Sequence, residues 1–214
     1  MKVEMHCHTY FSQDGFNTPK KIRQICDKQK IDYVFITDHD AIEGAFEFKR
    51  QLGDRIIIGQ EMSTGQGDLI GLFLKERIDP GQGVKFTIDK IKQQGGLVYL
   101  PHPFDEFRKS CIKMDVAQAV KEKIDIIEVF NSRTLNPKYN TIALEFAKAN
   151  GIVIAVGSDA HHWLEVGSSY MIMDDFSDPQ SFLRSLNSAT YITKRCPVIL
   201  RAYLKGLKIL TGKK

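Results

Sequence analysis

Short apolar, β-branched runs return along this chain at nearly even spacing, and segments patterned as amphipathic helices separate them. That alternation limits the folds open to it more than any other feature. The runs are Val3–His6, Tyr33–Thr37, Arg55–Ile58, Leu69–Leu74, Leu97–Leu100, Ile124–Phe130, Ile152–Val156 and Tyr170–Met173. Between them lie helix-patterned segments such as Pro19–Gln29, Phe86–Gln94, Met114–Lys121 and Thr141–Asn150. Stop signals follow, as in GlnGlnGlyGly at 93–96 and AsnGly at 150–151. Strands buried between helices read as unbroken apolar runs, which DYVFIT, GLVYL and GIVIAVG do. Strands alternating with helices predict parallel βαβ units. The 214 residues, 43% hydrophobic, suffice for one sizeable core, and no linker or repeat divides them.

The unusual residues sit at particular places on this frame. All six histidines fall in four short segments: His6 and His8 in MHCHT, His39 in TDHD, His102 in LPHP, and His161 with His162 in GSDAHH. Each segment follows a predicted strand. Glu61 in GQEMST and Glu128 in IIEVFN lie at or near the ends of two more. In a parallel α/β barrel those ends converge on one mouth. Imidazoles two apart on a strand, as in HxH, point to the same face and can bind one borderline cation, with carboxylates completing the shell. Taken singly these motifs are weak, because HxH can be polar surface and TDH or GSDAH a turn or helix cap. Independent accidents would not put every histidine on one rim.

HCHT, TDHD, Glu61, LPHP and GSDAH, in this order, resemble the motifs of the PHP (polymerase and histidinol phosphatase) family, most closely its small stand-alone phosphoesterases. The resemblance covers roughly residues 1–175, with residues 176–214 left as a helical extension packed on the same domain. It implies a distorted seven-stranded, TIM-like (β/α) barrel with two or three divalent cations at its C-terminal mouth. The first cation would take His6, His8, Glu61 and Asp159. Glu61 would bridge to a second that also takes His102. Relatives supply a further histidine where this chain has Asp68 in DLIGLFL. A third cation would take His39, His161 and Asp14. Glu61, Asp159 and His161 would be catalytic. Asp38 would orient an imidazole by accepting its other N–H, and Glu128 would be an outer partner or an alternative ligand. Cys7, between two inward histidines, is expected in the core, and His162 at the surface or as a gate.

The implied activity is phosphoester hydrolysis by a metal-bridging hydroxide on a small phosphorylated metabolite, nucleotide or oligonucleotide. Zinc, manganese or iron would suit such shells. Three cations bring +6 against −4 from Asp14, Glu61, Asp68 and Asp159, a surplus that would attract a phosphate dianion. Arg133 in EVFNSR is a candidate phosphate clamp because its fork suits anions. A C–N hydrolase of amidohydrolase type is the rival enzyme, although a bridging carbamylated lysine would be expected there. A metal-binding regulatory module without catalysis is the other alternative. No apolar run approaches the roughly 20 residues that cross a bilayer, and MKVEMHCHTYF lacks a secretion core. Four scattered cysteines read as reduced thiols. A cytoplasmic protein is therefore expected. Residues 194–214 carry seven basic and no acidic side chains. They are read as an amphipathic closing helix with solvated lysines, the alternative being a contact with nucleic acid or anionic lipid.

Overall fold

The computed structural model describes residues 1–212. Strands and helices follow in the order β1 (Lys2–Cys7), α1 (Pro19–Gln29), β2 (Tyr33–Ile36), α2 (Glu43–Leu52), β3 (Ile56–Thr64), β4 (Gly67–Leu72), α3 (Val84–Gln93), β5 (Leu97–Leu100) and α4 (Met114–Val120). After these come β6 (Ile126–Asn131), α5 (Lys138–Asn150), β7 (Val153–Gly157), β8 (Tyr170–Ile172), α6 (Pro179–Asn187), β9 (Thr190–Ile192) and α7 (Val198–Thr211). Local chemistry sets several ends. Thr18 caps α1 and Pro19 fills its first turn, where a missing N–H costs nothing. Asp178 and Ser181 form a capping box ahead of α6.

One nine-stranded sheet runs in the order β7-β6-β5-β4-β3-β2-β1-β8-β9, where seven strands were expected. It nearly closes into a barrel. Cys7 bridges in parallel to Ala160, just past β7; His8 N donates to Ala160 O at 2.9 Å and Ala160 N to His6 O at 3.2 Å. The opposite end of β1, at Lys2 and Val3, pairs antiparallel with β8, and β9 extends the sheet beyond that. The extension after residue 175 is therefore not helical alone.

The expectation of parallel units fails at β4, which is antiparallel to both β3 and β5. A tight hairpin pairing Thr64 with Gly67 joins β3 to β4. It has no room for the dozen or more residues of a parallel crossover. The reversal brings the first residues of β4, Asp68 among them, to the mouth. It also extends β3 to Thr64, so Glu61 lies within a strand and not at its end. α2, α6 and β9 are additions to the elements read from sequence.

Alternation along β1 separates core from site. Val3, Met5 and Cys7 belong to the apolar clusters under the helices, whereas Glu4, His6 and His8 are fully buried polar groups on the other face. Gly157 makes the closure possible: a Cβ there would lie 2.1 Å from Glu128 Oε1 and 2.8 Å from His6 Cβ. All four cysteines are free and buried. No helix among the described residues is long and apolar enough to cross a membrane. Of the basic tail, Lys213 and Lys214 and the side chains of Lys205 and Lys208 lie outside the described residues.

Candidate metal centre

Three segments, on β1, on β3 and just past β7, bring nitrogen and oxygen donors to one point. His6 Nε2 lies 3.0 Å from His8 Nε2, 3.2 Å from Glu61 Oε2 and 3.7 Å from Asp159 Oδ1. His8 Nε2 lies 3.3 Å from both carboxylate oxygens. A tetrahedral cation with bonds of about 2.0–2.2 Å separates its ligands by roughly 3.3–3.6 Å. The five separations scatter around that edge length, so the donor set fits a divalent cation. Glu61 faces two ways. Its Oε2 serves this cluster and also meets His39 Nδ1 at 3.2 Å, while Oε1 lies 3.0 Å from His102 Nε2.

His102 and Asp68 surround the second oxygen of Glu61, with ligand atoms close enough to share one ion. Asp68 Oδ1 and His102 Nδ1 are buried and find no hydrogen-bond partner among the described residues. Leaving a buried carboxylate oxygen unsatisfied is costly, and a cation removes the cost. Burial and the neighbouring Glu61 carboxylate push Asp68 up to about 6. If Asp68 ligates, Asp68→Ala should weaken one cation selectively, and Asp68→His should keep it while shifting preference from manganese towards zinc. Metal analysis after dialysis against each ion checks this; loss of every cation together, or of none, would contradict it.

A third group gathers His8, His39 and His161. Their rings stack with centroids 4.2 Å (His8–His161) and 4.3 Å (His8–His39) apart, and His161 Nε2 lies 3.0 Å from Asp14 Oδ2. Each of the nine residues expected as ligands thus falls in one contiguous cluster.

The groups behind the cluster decide which nitrogen faces inward. His6 Nδ1 lies 3.1 Å from Glu128 Oε1, so a ring proton sits there and Nε2 is the nitrogen that faces the cluster. Glu128 also accepts from Tyr99 Oη, His102 N and Asn131 Nδ2. These four donors occupy both of its oxygens on the side of His6 away from the cluster. Asp38 differs from expectation because it touches no imidazole. It accepts from Thr9 N, Thr9 Oγ1 and Ser12 Oγ, and Ser12 Oγ in turn lies 3.3 Å from His8 Nδ1. Asp38 therefore acts on His8 through Ser12. The expected surface position of His162 is also wrong. Its ring is buried against Trp163 and near Phe16, and the backbone N–H groups of His161 and His162 are both held by Glu165.

Charge at the cluster is set by burial and by these contacts together. Burial alone would raise Glu61, but the imidazoles of His39 and His6 overcome it and hold the carboxyl well below its ordinary range. Asp159 is held low against burial by Arg108 and His6. Burial, with His161 and His39 adding to it, pushes His8 well below an ordinary imidazole. Against burial, Asp159, Glu128 and Glu61 raise His6, and Glu61 and Asp14 raise His39, so the carboxylates draw onto these imidazoles the positive charge that a bound cation would supply instead. Asp159 and His102 adopt positive φ, 53° and 28°. Non-glycine residues hold such angles only where the surroundings over-determine them, commonly at functional sites.

The mouth itself holds a cavity of about 300 Å³ lined by Asp68, His102, Arg108, Lys109, Arg133 and Arg201, among others. Arg133 touches the His161 ring at Nδ1 and lies 3.5 Å from Glu165 Oε1, so the clamp candidate does reach the site. Arg108 escaped the sequence reading. Its Nη2 lies 2.8 Å from Asp159 Oδ2 and 3.1 Å from Asn131 Oδ1, yet nothing in DEFRKS distinguishes it from a surface arginine.

A family model described as PHP domain matches residues 4–160, and one described as PHP-associated matches residues 137–191. An uncharacterized protein of Methanocaldococcus jannaschii is 34% identical over 201 residues, covering 89% of this chain and 81% of that protein. Among solved structures, a two-domain protein from Bacteroides vulgatus containing a predicted PHP-like metal-dependent phosphoesterase aligns with a TM-score of 0.69 at 18% identity. That match covers 91% of this chain, which spans only 65% of the two-domain protein. PsfC from Pseudomonas syringae aligns with a TM-score of 0.70 at 16% identity, covering 96% of this chain and 98% of PsfC. At these identities both structures speak to the fold alone.

Proposed function

The chain belongs to the PHP domain family, and from that premise we propose that it is a metal-dependent phosphoesterase acting on a small phosphorylated molecule, a nucleotide or an oligonucleotide. The observation that carries this reading is Glu61. One buried carboxylate offers separate oxygens to two donor groups, beneath a cavity lined with arginines. Divalent cations held there would neutralise charge on the phosphoryl oxygens and acidify water at the site. His6, His8, Glu61 and Asp159 would hold the first, Glu61, Asp68 and His102 the second, and Asp14, His39 and His161 a third. The Arg133 guanidinium stands where its fork can orient a phosphoryl group against the cluster. Arg108 holds Asp159 in its charged form and in place. The buried surroundings exclude bulk water and strengthen each of these interactions.

The rival C–N hydrolase would be expected to carry a bridging carbamylated lysine, whereas Glu61 stands at the shared position here and no lysine is among the buried residues described. The test is a hydrolysis screen over phosphomonoesters, phosphodiesters, nucleotides and amides. The reconstituted protein should carry about two to three divalent cations, release phosphate or cleave a diester, and lose that activity on chelation. Cleavage of amides alone would favour the rival. Firm metal binding without any hydrolysis would favour a regulatory module.

A further inference from the structure

The helix α7 lies beyond both family matches, which end at residues 160 and 191. It nevertheless reaches the mouth. Its root is fixed there, since Cys196 N donates to Ser132 O at 2.8 Å and Cys196 Sγ lies 3.2 Å from Glu165 Oε1. Glu165 is the carboxylate that also meets Arg133 and holds the backbone of His161. Leu204 is buried one turn beyond Arg201. These contacts seat the first half of α7 beside the loop that carries Arg133.

Two adjoining cavities meet at Arg201. One is the mouth above the cluster. The other, about 490 Å³, lies against α7, with Phe16, Leu135, Val198, Ala202 and Leu204 as its apolar wall and Asp14 and His161 of the donor cluster at its side. Arg133 and Arg201 line both. Arg108 and Arg133 have carboxylate partners in Asp159 and Glu165. Arg201 has no ion pair among the described residues. Burial and the nearby Arg133 and Arg108 guanidinium groups hold its pKa below the ordinary value. A guanidinium placed without a counter-ion beside two others is electrostatically unfavourable until an anion arrives.

We propose that α7 is part of the substrate site, where Arg201 binds an anionic group of the substrate other than its scissile phosphate. The organic part of that substrate occupies the apolar cavity under the helix. This rests on the phosphoesterase reading above and adds a substrate class to it: phosphate esters with an apolar or aromatic body and a second negative charge. The planar fork of Arg201 favours an oxyanion, which it can engage in bidentate fashion.

The test uses two phosphonates whose P–C bond resists hydrolysis, phenylphosphonate and 4-carboxyphenylphosphonate, titrated by calorimetry into the metal-reconstituted full chain. The carboxylate compound should bind at least about 10-fold more tightly, the scale of a charge-assisted hydrogen bond. Arg201→Gln should shrink that ratio to within about twofold, and Arg201→Lys should restore part of it, because the charge returns without the fork. Equal affinities in the unmodified protein, or a preference that survives Arg201→Gln, overturn the assignment. Loss of the preference in Arg201→Gln, in a protein that hydrolyses no phosphate ester, leaves Arg201 assigned and removes the phosphoesterase reading instead. The two failures are thus distinct.

Discussion

Glu61→Ala is expected to empty two positions with one substitution and to abolish hydrolysis. Its two oxygens lie against different partners: Oε2 against His6, His8 and His39, and Oε1 against His102. No other carboxylate among the described residues is shared in this way. Removing it leaves the first group two imidazoles and one carboxylate, and the second Asp68 with a single imidazole. The second set is too sparse to retain a cation. Activity should fall by more than the roughly 100-fold that bounds the loss of an outer partner. Metal content should drop by about two ions per chain. Glu61→Gln keeps the size but removes the charge and turns one accepting oxygen into an N–H donor, and it should behave similarly if the cations need a carboxylate on both sides. Emission spectroscopy on desalted protein reads the ion count, and the loss of one ion with the other fully kept would rule out a bridge.

The chain discloses its site more completely than its fold, and the reason is physical. Donor residues have few alternatives: His6, His8, His39, His102 and His161 announce themselves by type and by position after apolar runs. Their convergence then follows from parallel strands that end at one face. The reversal of β4 carries no such mark. A glycine-rich turn, TGQG, could link a hairpin or start a loop, and only the seven-residue distance from Glu61 to Asp68 hints at it. Short β9 is wholly exposed, so it lacks the apolar run that identifies the others. Ser12 and Arg108 were illegible for a related reason. Each works through contacts made across the fold, to His8 and to Asp159, and neither residue type is unusual in a loop. Asp38 stands out in the sequence, but its adjacency to His39 in TDHD suggests a bond to an imidazole, whereas the fold turns its carboxylate to Thr9 and Ser12.

Asp38 and Asp159 should respond unequally to loss of their charge, with Asp159→Asn costing far more activity than Asp38→Asn. In Asp38→Asn the new side chain would keep one oxygen to accept from Thr9 N and Ser12 Oγ, while the Thr9 hydroxyl can turn to accept from the new amide. Ser12 would still stand between it and His8, so the imidazole keeps its inward lone pair. The expected loss is about 10-fold, at the mild end for outer partners. Asp159 has no such buffer. Its Oδ1 lies 3.3 Å from His8 Nε2 and 3.7 Å from His6 Nε2, and its Oδ2 takes Arg108 at 2.8 Å. An amide in its place removes the negative charge at the first cation and either turns an N–H toward Arg108 or presents one to the ion. The strained φ of 53° at this residue leaves little freedom to adjust. Asp159→Asn should therefore lose more than about 100-fold in activity, together with one cation, whereas Asp38→Asn should keep its full metal content. Equal losses in the two variants, or a larger loss for Asp38→Asn, would place Asp159 outside the ligand set.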